Sequence, residues 1–196
     1  MIAAALDTFI AGIGLLVLSP LLAVIGGLIA LTSGFPVLFR QIRIGRDGVP
    51  FSLLKFRSMR AGADEEKERL LEFNEMQGPL FKMHDDPRTT RLGRFLRRSS
   101  LDELPQLFNV LRGDMSMVGP RPHTAAEVAQ YQNWQRQVLE TPPGMTGLAQ
   151  VSGRSQLSFD EQCLLDIYYI ENWSPALDVK ILLRTVPKAL SGEGAY

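Results

Sequence analysis

The chain has little of what proteins use for cross-links or metal cages. One cysteine, Cys163, in 196 residues excludes a disulfide within the chain, and two distant histidines, His84 and His123, offer no zinc spacing. A reducing compartment suits that composition. There is no formal net charge, because 21 Lys and Arg balance 21 Asp and Glu. No internal repeat or low-complexity stretch marks off a second globular domain, and the length suits one. No basic residue precedes the first apolar run, which argues against a secretory signal peptide.

What is present is unevenly placed. From Thr8 to Phe39 there is no charge, and "FIAGIGLLVLSPLLAVIGGLIAL" is long enough for a membrane segment, whose minimum is about 20 apolar residues. Ser19 and Pro20 sit near its middle. A proline inside a helix removes one hydrogen bond and clashes with the carbonyl four residues back, so a bend is expected there, and a neighbouring serine can help satisfy the freed group in lipid. At about 1.5 Å per residue, the arms on either side of Pro20 cover roughly 18 and 21 Å, short of the roughly 30 Å hydrocarbon core. A re-entrant segment and a kinked span both remain open on this ground. Six basic residues, Arg40, Arg43, Arg46, Lys55, Arg57 and Arg60, follow the segment and should hold the rest of the chain on the cytoplasmic side.

Beyond it, "GFPVLFRQIRIGRDGVPFSLLKFRSM" reads as short extended pieces with turns at Gly34, Pro36, "GRDG" and Pro50. "ADEEKERLLEFNEM" reads as a solvated polar helix with an acidic first turn. "HDDPR" (84–88) reads as a turn in preference to a metal site. "RTTRLGRFLRRSS" places Arg91, Arg94 and Arg98 on one helix face and Leu92, Phe95 and Leu96 on the other. "DEQCLLDIYYIENWS" and "LDVKILLRTVPKAL" read as helices. The second is either packed on the domain or lying in a membrane interface, with Pro187 kinking or ending it.

The chemistry centres on "RRSSLDELPQLFNVLRGD" (97–114), where Asp102 and Glu103 follow a run of arginines. Ser100 and Glu103 fit a capping box, S-x-x-E, but Pro105 would then fall at the fifth helical position, where its missing N–H is needed. A distorted helix start would expose a carboxylate at a positive helix end beside Arg97, a place that also suits phosphate. "GDMSMVGPRP" fixes Arg121 between Pro120 and Pro122, and "PPGMTGLAQVSGR" sets Gln150 and Arg154 among glycines, as a substrate loop or as connecting structure. Arginines, paired carboxylates and a membrane surface together point to phosphoryl chemistry on a lipid.

In order and nearly end to end, "LLVLSPLL", "LLKFRSM", "SLDELPQLFNVLRGDMSMVGPRP", "PGMTGLAQVSGR" and "LDIYYIENWSPALDVKILLRTV" resemble the bacterial sugar transferases called monotopic phosphoglycosyl transferases. The resemblance implies an α+β, mostly helical chain. Residues 1–36 would form a re-entrant membrane helix-hairpin broken at Ser19 and Pro20. Residues 37–196 would form one cytoplasmic catalytic domain with short strands and interfacial amphipathic helices, on the inner face of a bacterial cytoplasmic membrane. It implies transfer of a sugar 1-phosphate from a UDP-sugar, UDP-glucose or UDP-galactose by the "SGR" branch, to undecaprenyl phosphate, with release of UMP. Asp102 would be the nucleophile and Mg²⁺ ligand, and Glu103 its dyad partner. Arg97, Arg121 and Arg154 would hold phosphates, Lys55 and Arg57 would face the same pocket, Gln150 would line it, and Pro120 and Pro122 would help seat the uridine. Membrane lipids are implied as partners and nucleic acid is not; a homodimer stays open. So does a different class, a non-catalytic membrane scaffold whose basic surfaces bind anionic lipid. Members usually carry Lys or Arg before the aspartate near the start, and here Asp7 has none. Larger members place four membrane helices and a further domain ahead of this core.

Overall fold

The computed structural model describes residues 2–63, 65–66, 68–75, 79–81, 83, 85–153 and 157–191. Helix α1 (Ile2–Ser33) leads into an antiparallel ribbon of β1 (Leu38–Ile44) and β2 (Pro50–Phe56), whose register runs from Leu38↔Phe56 to Ile44↔Pro50. The predicted "GRDG" turn closes it, with Asp47 and Gly48 at positive φ. Next come α2 (Arg91–Arg98), α3 (Gln106–Arg112), β3 (Ser116–Val118), α4 (Ala125–Val128), β4 (Gly144–Thr146), α5 (Leu148–Ser152), α6 (Phe159–Glu171) and α7 (Pro175–Ser191). Strands β3 and β4 pair in parallel, through Ser116↔Gly144 and Val118↔Thr146.

Helix α1 does not end at Ser19 or Pro20, so the expected hairpin of two separate arms is not what forms. The proline deprives the Leu16 carbonyl of its helical partner, and Ser19 Oγ donates to that same carbonyl at 2.8 Å. The helix therefore continues through the proline with this acceptor satisfied. Ala11, Leu15 and Leu18 pack with Leu53, Leu107 and Val110, while Leu22, Ile25 and Ile29 pack with Phe56 and Leu96. One stripe of α1 thus lies along the body over nearly its whole length. The outward side chains stay apolar and exposed, Leu16 at 77% and Leu31 at 87%, which in water would be costly. Both ends are tied down: Ser116 Oγ donates to Asp7 at 2.6 Å, and Arg57 Nη2 donates to the Ser33 and Gly34 carbonyls.

Three other expectations need adjusting. Among its described residues, the acidic stretch after residue 63 forms only a 3₁₀ helix, Glu68–Phe73, in place of the expected longer helix; six residues are too few to offset helix nucleation on their own. In α2, Phe95 points outward at 61% exposure and Arg97 turns inward, so the cationic and apolar faces are not cleanly divided. Pro187 neither ends α7 nor removes it from the body. Ile181 is buried, so α7 packs on the body, while Val179, Leu183 and Val186 form an outward apolar stripe beside Lys180 and Arg184.

Candidate active site

The dyad sits at the junction of two helices. After α2 the chain turns through Ser100, held in the left-handed region at φ 54°, then runs a 3₁₀ turn, Leu101–Glu103, before α3 starts behind Pro105. The Ser100 side chain caps nothing, so the S-x-x-E pattern is not a capping box here. Pro105 stands immediately before Gln106, at a helix start, where a missing N–H costs nothing. The awkward proline is explained by the later start of α3, which leaves the carboxylates in the 3₁₀ turn before it.

Asp102 is 7% exposed. Burial, the largest cause, and the neighbouring Glu103 push its carboxyl up to about 6, against the opposing pull of Lys55, Arg97 and its own backbone N–H. Glu103 receives Lys55 Nζ at 2.8 Å. Arg97 Nε donates to Ser58 Oγ at 2.9 Å, and α2 comes this close because residue 93 is glycine: a Cβ there would lie 1.8 Å from the Ser58 carbonyl oxygen. Burial lowers the Arg97 guanidinium's pKa while Asp102 and Asp86 hold its proton in place. Asp86 itself is locked in a buried ion pair with Arg88 at 2.6 Å, within the turn expected of "HDDPR"; His84 lies outside the described residues.

The two loops singled out by their Gly, Pro and Arg content are brought together by β3 and β4. Gly144 donates its N–H to the Pro120 carbonyl at 2.8 Å, and a Cβ on Gly144 would fall 2.1 Å from the Gly119 nitrogen. Their backbones touch. As a result Arg121, Pro122 and Gln150 line one cleft with Lys55 and Glu103. Pro120 lies fully buried behind it. Gln150 Oε1 has no hydrogen-bond partner among the described residues. Arg57 is not in this cleft, because its guanidinium is committed to the end of α1. Arg154 falls outside the described residues.

Three contributors escaped the sequence reading. Arg43 lines the cleft and donates to the Pro122 carbonyl at 3.0 Å and to Glu127 at 3.3 Å; burial and the nearby Arg121 lower its pKa to about 10. Its signal was the alternation along β1, which puts Gln41 and Arg43 on the ribbon face that carries Leu53 and Lys55. Gln106, 3% exposed, also lines the cleft. Asp166, equally buried, accepts the Arg121 backbone N–H, and burial lifts its carboxyl to about 7. An acid inside "CLLDIYY" was the clue.

For Mg²⁺ the described residues contain no group of three or more His, Cys, Asp or Glu side chains able to hold a metal. A fully protein-built cage is therefore not available among them. Two adjacent carboxylates do fit Mg²⁺ as it is bound with phosphate ligands, through one or two carboxylates and the oxygens of the substrate.

The family described as bacterial sugar transferase matches residues 1–192. The galactosyl transferase CpsE of Streptococcus agalactiae serotype III is 50% identical over 163 residues, 83% of this chain and 36% of that protein. The exopolysaccharide production protein ExoY of Sinorhizobium fredii is 39% identical over 194 residues, 97% of this chain and 86% of that protein. The UDP-glucose:undecaprenyl-phosphate glucose-1-phosphate transferase of Klebsiella pneumoniae is 39% identical over 198 residues, 97% of this chain and 40% of that protein.

The raised Asp102 pKa sets a stability test. The folded chain keeps this proton between pH 4 and 6, where the unfolded chain has already lost it. The stabilisation is complete below about pH 4 and is lost as pH rises through about 6. Asp102→Asn, which cannot ionise, should match the wild type at pH 4 and exceed it by about 1–3 kcal/mol at pH 7.5 in thermal unfolding. Equal stability at pH 7.5 contradicts the buried, charged carboxylate.

Proposed function

The chain belongs to the bacterial sugar transferase family, and from that premise we propose that it moves a hexose 1-phosphate from a UDP-hexose to undecaprenyl phosphate. The observation that carries the reading is the buried Asp102 beside Glu103, Lys55 and Arg97, with Glu103 and Lys55 also lining a cleft that they share with Arg43, Arg121 and Gln150. Relatives whose names specify glucose 1-phosphate or galactosyl transfer support hexose as the sugar.

In the first step an Asp102 carboxylate oxygen attacks the sugar-bearing phosphorus. The bond from that phosphorus to the bridging oxygen breaks, UMP leaves with the oxygen, and an aspartyl phosphosugar forms. In the second, a phosphate oxygen of the acceptor attacks the same phosphorus, the bond to Asp102 breaks, and the carboxylate is restored. Arg43, Lys55, Arg97 and Arg121 balance the negative charge of donor and leaving group. Lys55 also keeps Glu103 oriented through its 2.8 Å contact. Mg²⁺ held by Asp102 and the diphosphate would supply further charge neutralisation on the departing UMP.

Location follows from how α1 is held. A helix running from Asp7 to Ser33 is about 39 Å long if straight, longer than the hydrocarbon core of about 30 Å. A body that grips both ends could not leave them on opposite sides of a bilayer without entering it. We therefore read α1 as re-entering, with its apolar outer face and the outer stripe of α7 in lipid and the body on the cytoplasmic side of the inner membrane.

UMP release from a UDP-hexose panel with Mg²⁺ and undecaprenyl phosphate tests the reaction. Asp102→Asn should lower it at least 1,000-fold, on the order of magnitude seen when a nucleophile is removed, and wild-type kcat/KM for the donor should fall as pH drops below about 6. Lys55→Ala should move that acidic limb to higher pH, since Lys55 lowers the Asp102 pKa. A scaffold without activity would release no UMP from any donor, and an active Asp102→Asn would overturn the nucleophile.

For topology, a cysteine replacing Ala4 in a Cys163→Ala background should react only with a cytoplasmic-side reagent in oriented vesicles. Labelling from the outside alone would mean that α1 spans.

A further inference from the structure

A second concavity lies apart from the polar cleft. It measures about 580 Å³, within the range of small-molecule sites, and is lined by Phe35, Pro36, Val37, Leu38 and Phe39 with Arg40 and Arg57. Its apolar wall begins where α1 ends, and its outermost ring, Phe35, is 82% exposed next to the equally bare Leu31. Its inner wall approaches the dyad: Phe39 stands directly across the ribbon from Lys55, the residue that holds Glu103. Arg57 is 8% exposed, and its Nε has no hydrogen-bond partner among the described residues. Among those residues neither Arg40 nor Arg57 has a carboxylate partner.

A long apolar wall with one buried cation, Arg57, whose Nη2 is held by carbonyls while its Nε is left open and no carboxylate offsets its charge, does not suit a nucleotide sugar, which is polar throughout. It suits a lipid with one anionic head. We propose that this groove is the acceptor site, which takes the first isoprenoid units of the lipid phosphate along Phe35–Phe39 while Arg57, two residues past Lys55 and on the same side of its strand, draws its phosphate toward Lys55 and the dyad. The assignment rests on the transferase reading and adds where the second substrate arrives. It also separates the two substrates in space: the donor reaches Asp102 through the polar cleft from water, and the acceptor through the apolar groove from the bilayer. One nucleophile serves both in turn because neither path crosses the other.

The test uses the full chain in phosphatidylethanolamine nanodiscs and a polyprenyl phosphate carrying a diazirine on its first isoprene unit. Photolysis should label the peptide containing residues 35–39, and excess undecaprenyl phosphate should reduce the labelling at least tenfold while phosphatidylglycerol does not. Labelling elsewhere, or equal competition by phosphatidylglycerol, overturns the acceptor assignment; the latter would make the groove a general anionic-lipid site. In parallel, Phe35→Glu should raise the acceptor KM at least tenfold more than it slows UMP release in the acceptor-free first turnover, and Phe35→Leu should restore it. Equal effects on both steps also overturn the proposal. Failure of the transferase reading looks different, because the wild type would then release no UMP with or without the lipid.

Discussion

Burying the Asp102 carboxyl next to Glu103 sets two like charges side by side in a place water hardly reaches, and Lys55 and Arg97 offset that repulsion only in part. Much of the surrounding architecture serves to hold these four groups together. Lys55 comes from the next-to-last position of β2, and α3 is strapped to that strand by the fully buried Asn109, which accepts the Leu54 N–H at 3.0 Å and donates to the Ser52 carbonyl at 2.7 Å. Arg97 comes from α2, whose approach to Ser58 depends on Gly93. The left-handed Ser100 then swings the chain so that the carboxylates fall in a short 3₁₀ turn between the two helices. A raised pKa is the electrostatic trace of this arrangement. It leaves a carboxylate that is ionised at neutral pH yet poorly solvated, a sound starting state for attack on phosphorus.

The same body that holds the dyad holds α1 along one stripe and at both ends. In the proposed reading this would couple the site to the membrane without a flexible linker, since the ribbon that follows α1 carries Lys55 and Arg43 and is itself packed against the helix. The parallel pairing of β3 and β4 completes the site from the other side by pressing two glycine-containing loops backbone to backbone, which aims Arg121 and Gln150 into the cleft.

Local features were legible in the sequence. The apolar run, the ribbon turn, α2, α6 and α7 could be read from periodicity, turn residues and charge, and the long motifs pointed to the family. Contacts between distant segments were harder to read. Arg57 looked like a neighbour of Lys55 because the two are close in sequence, but the end of α1 offers its guanidinium two carbonyl acceptors. Arg43 was hidden among collar charges until strand pairing set its face. Ser19 does what its place before Pro20 suggested, its hydroxyl donating to the Leu16 carbonyl that the proline leaves open, while the helix runs on where two arms were expected. Pro105 contradicted a simple cap for a sound physical reason: the helix starts later than the S-x-x-E pattern suggests.

The most direct measurement of the central claim is mass spectrometry of the protein after mixing with a UDP-hexose and Mg²⁺ in the absence of acceptor lipid. The account requires the peptide carrying Asp102 to gain one hexose phosphate, and to lose it when undecaprenyl phosphate is added. An unmodified peptide, in protein that forms lipid-linked product once the acceptor is supplied, would contradict the covalent role of Asp102.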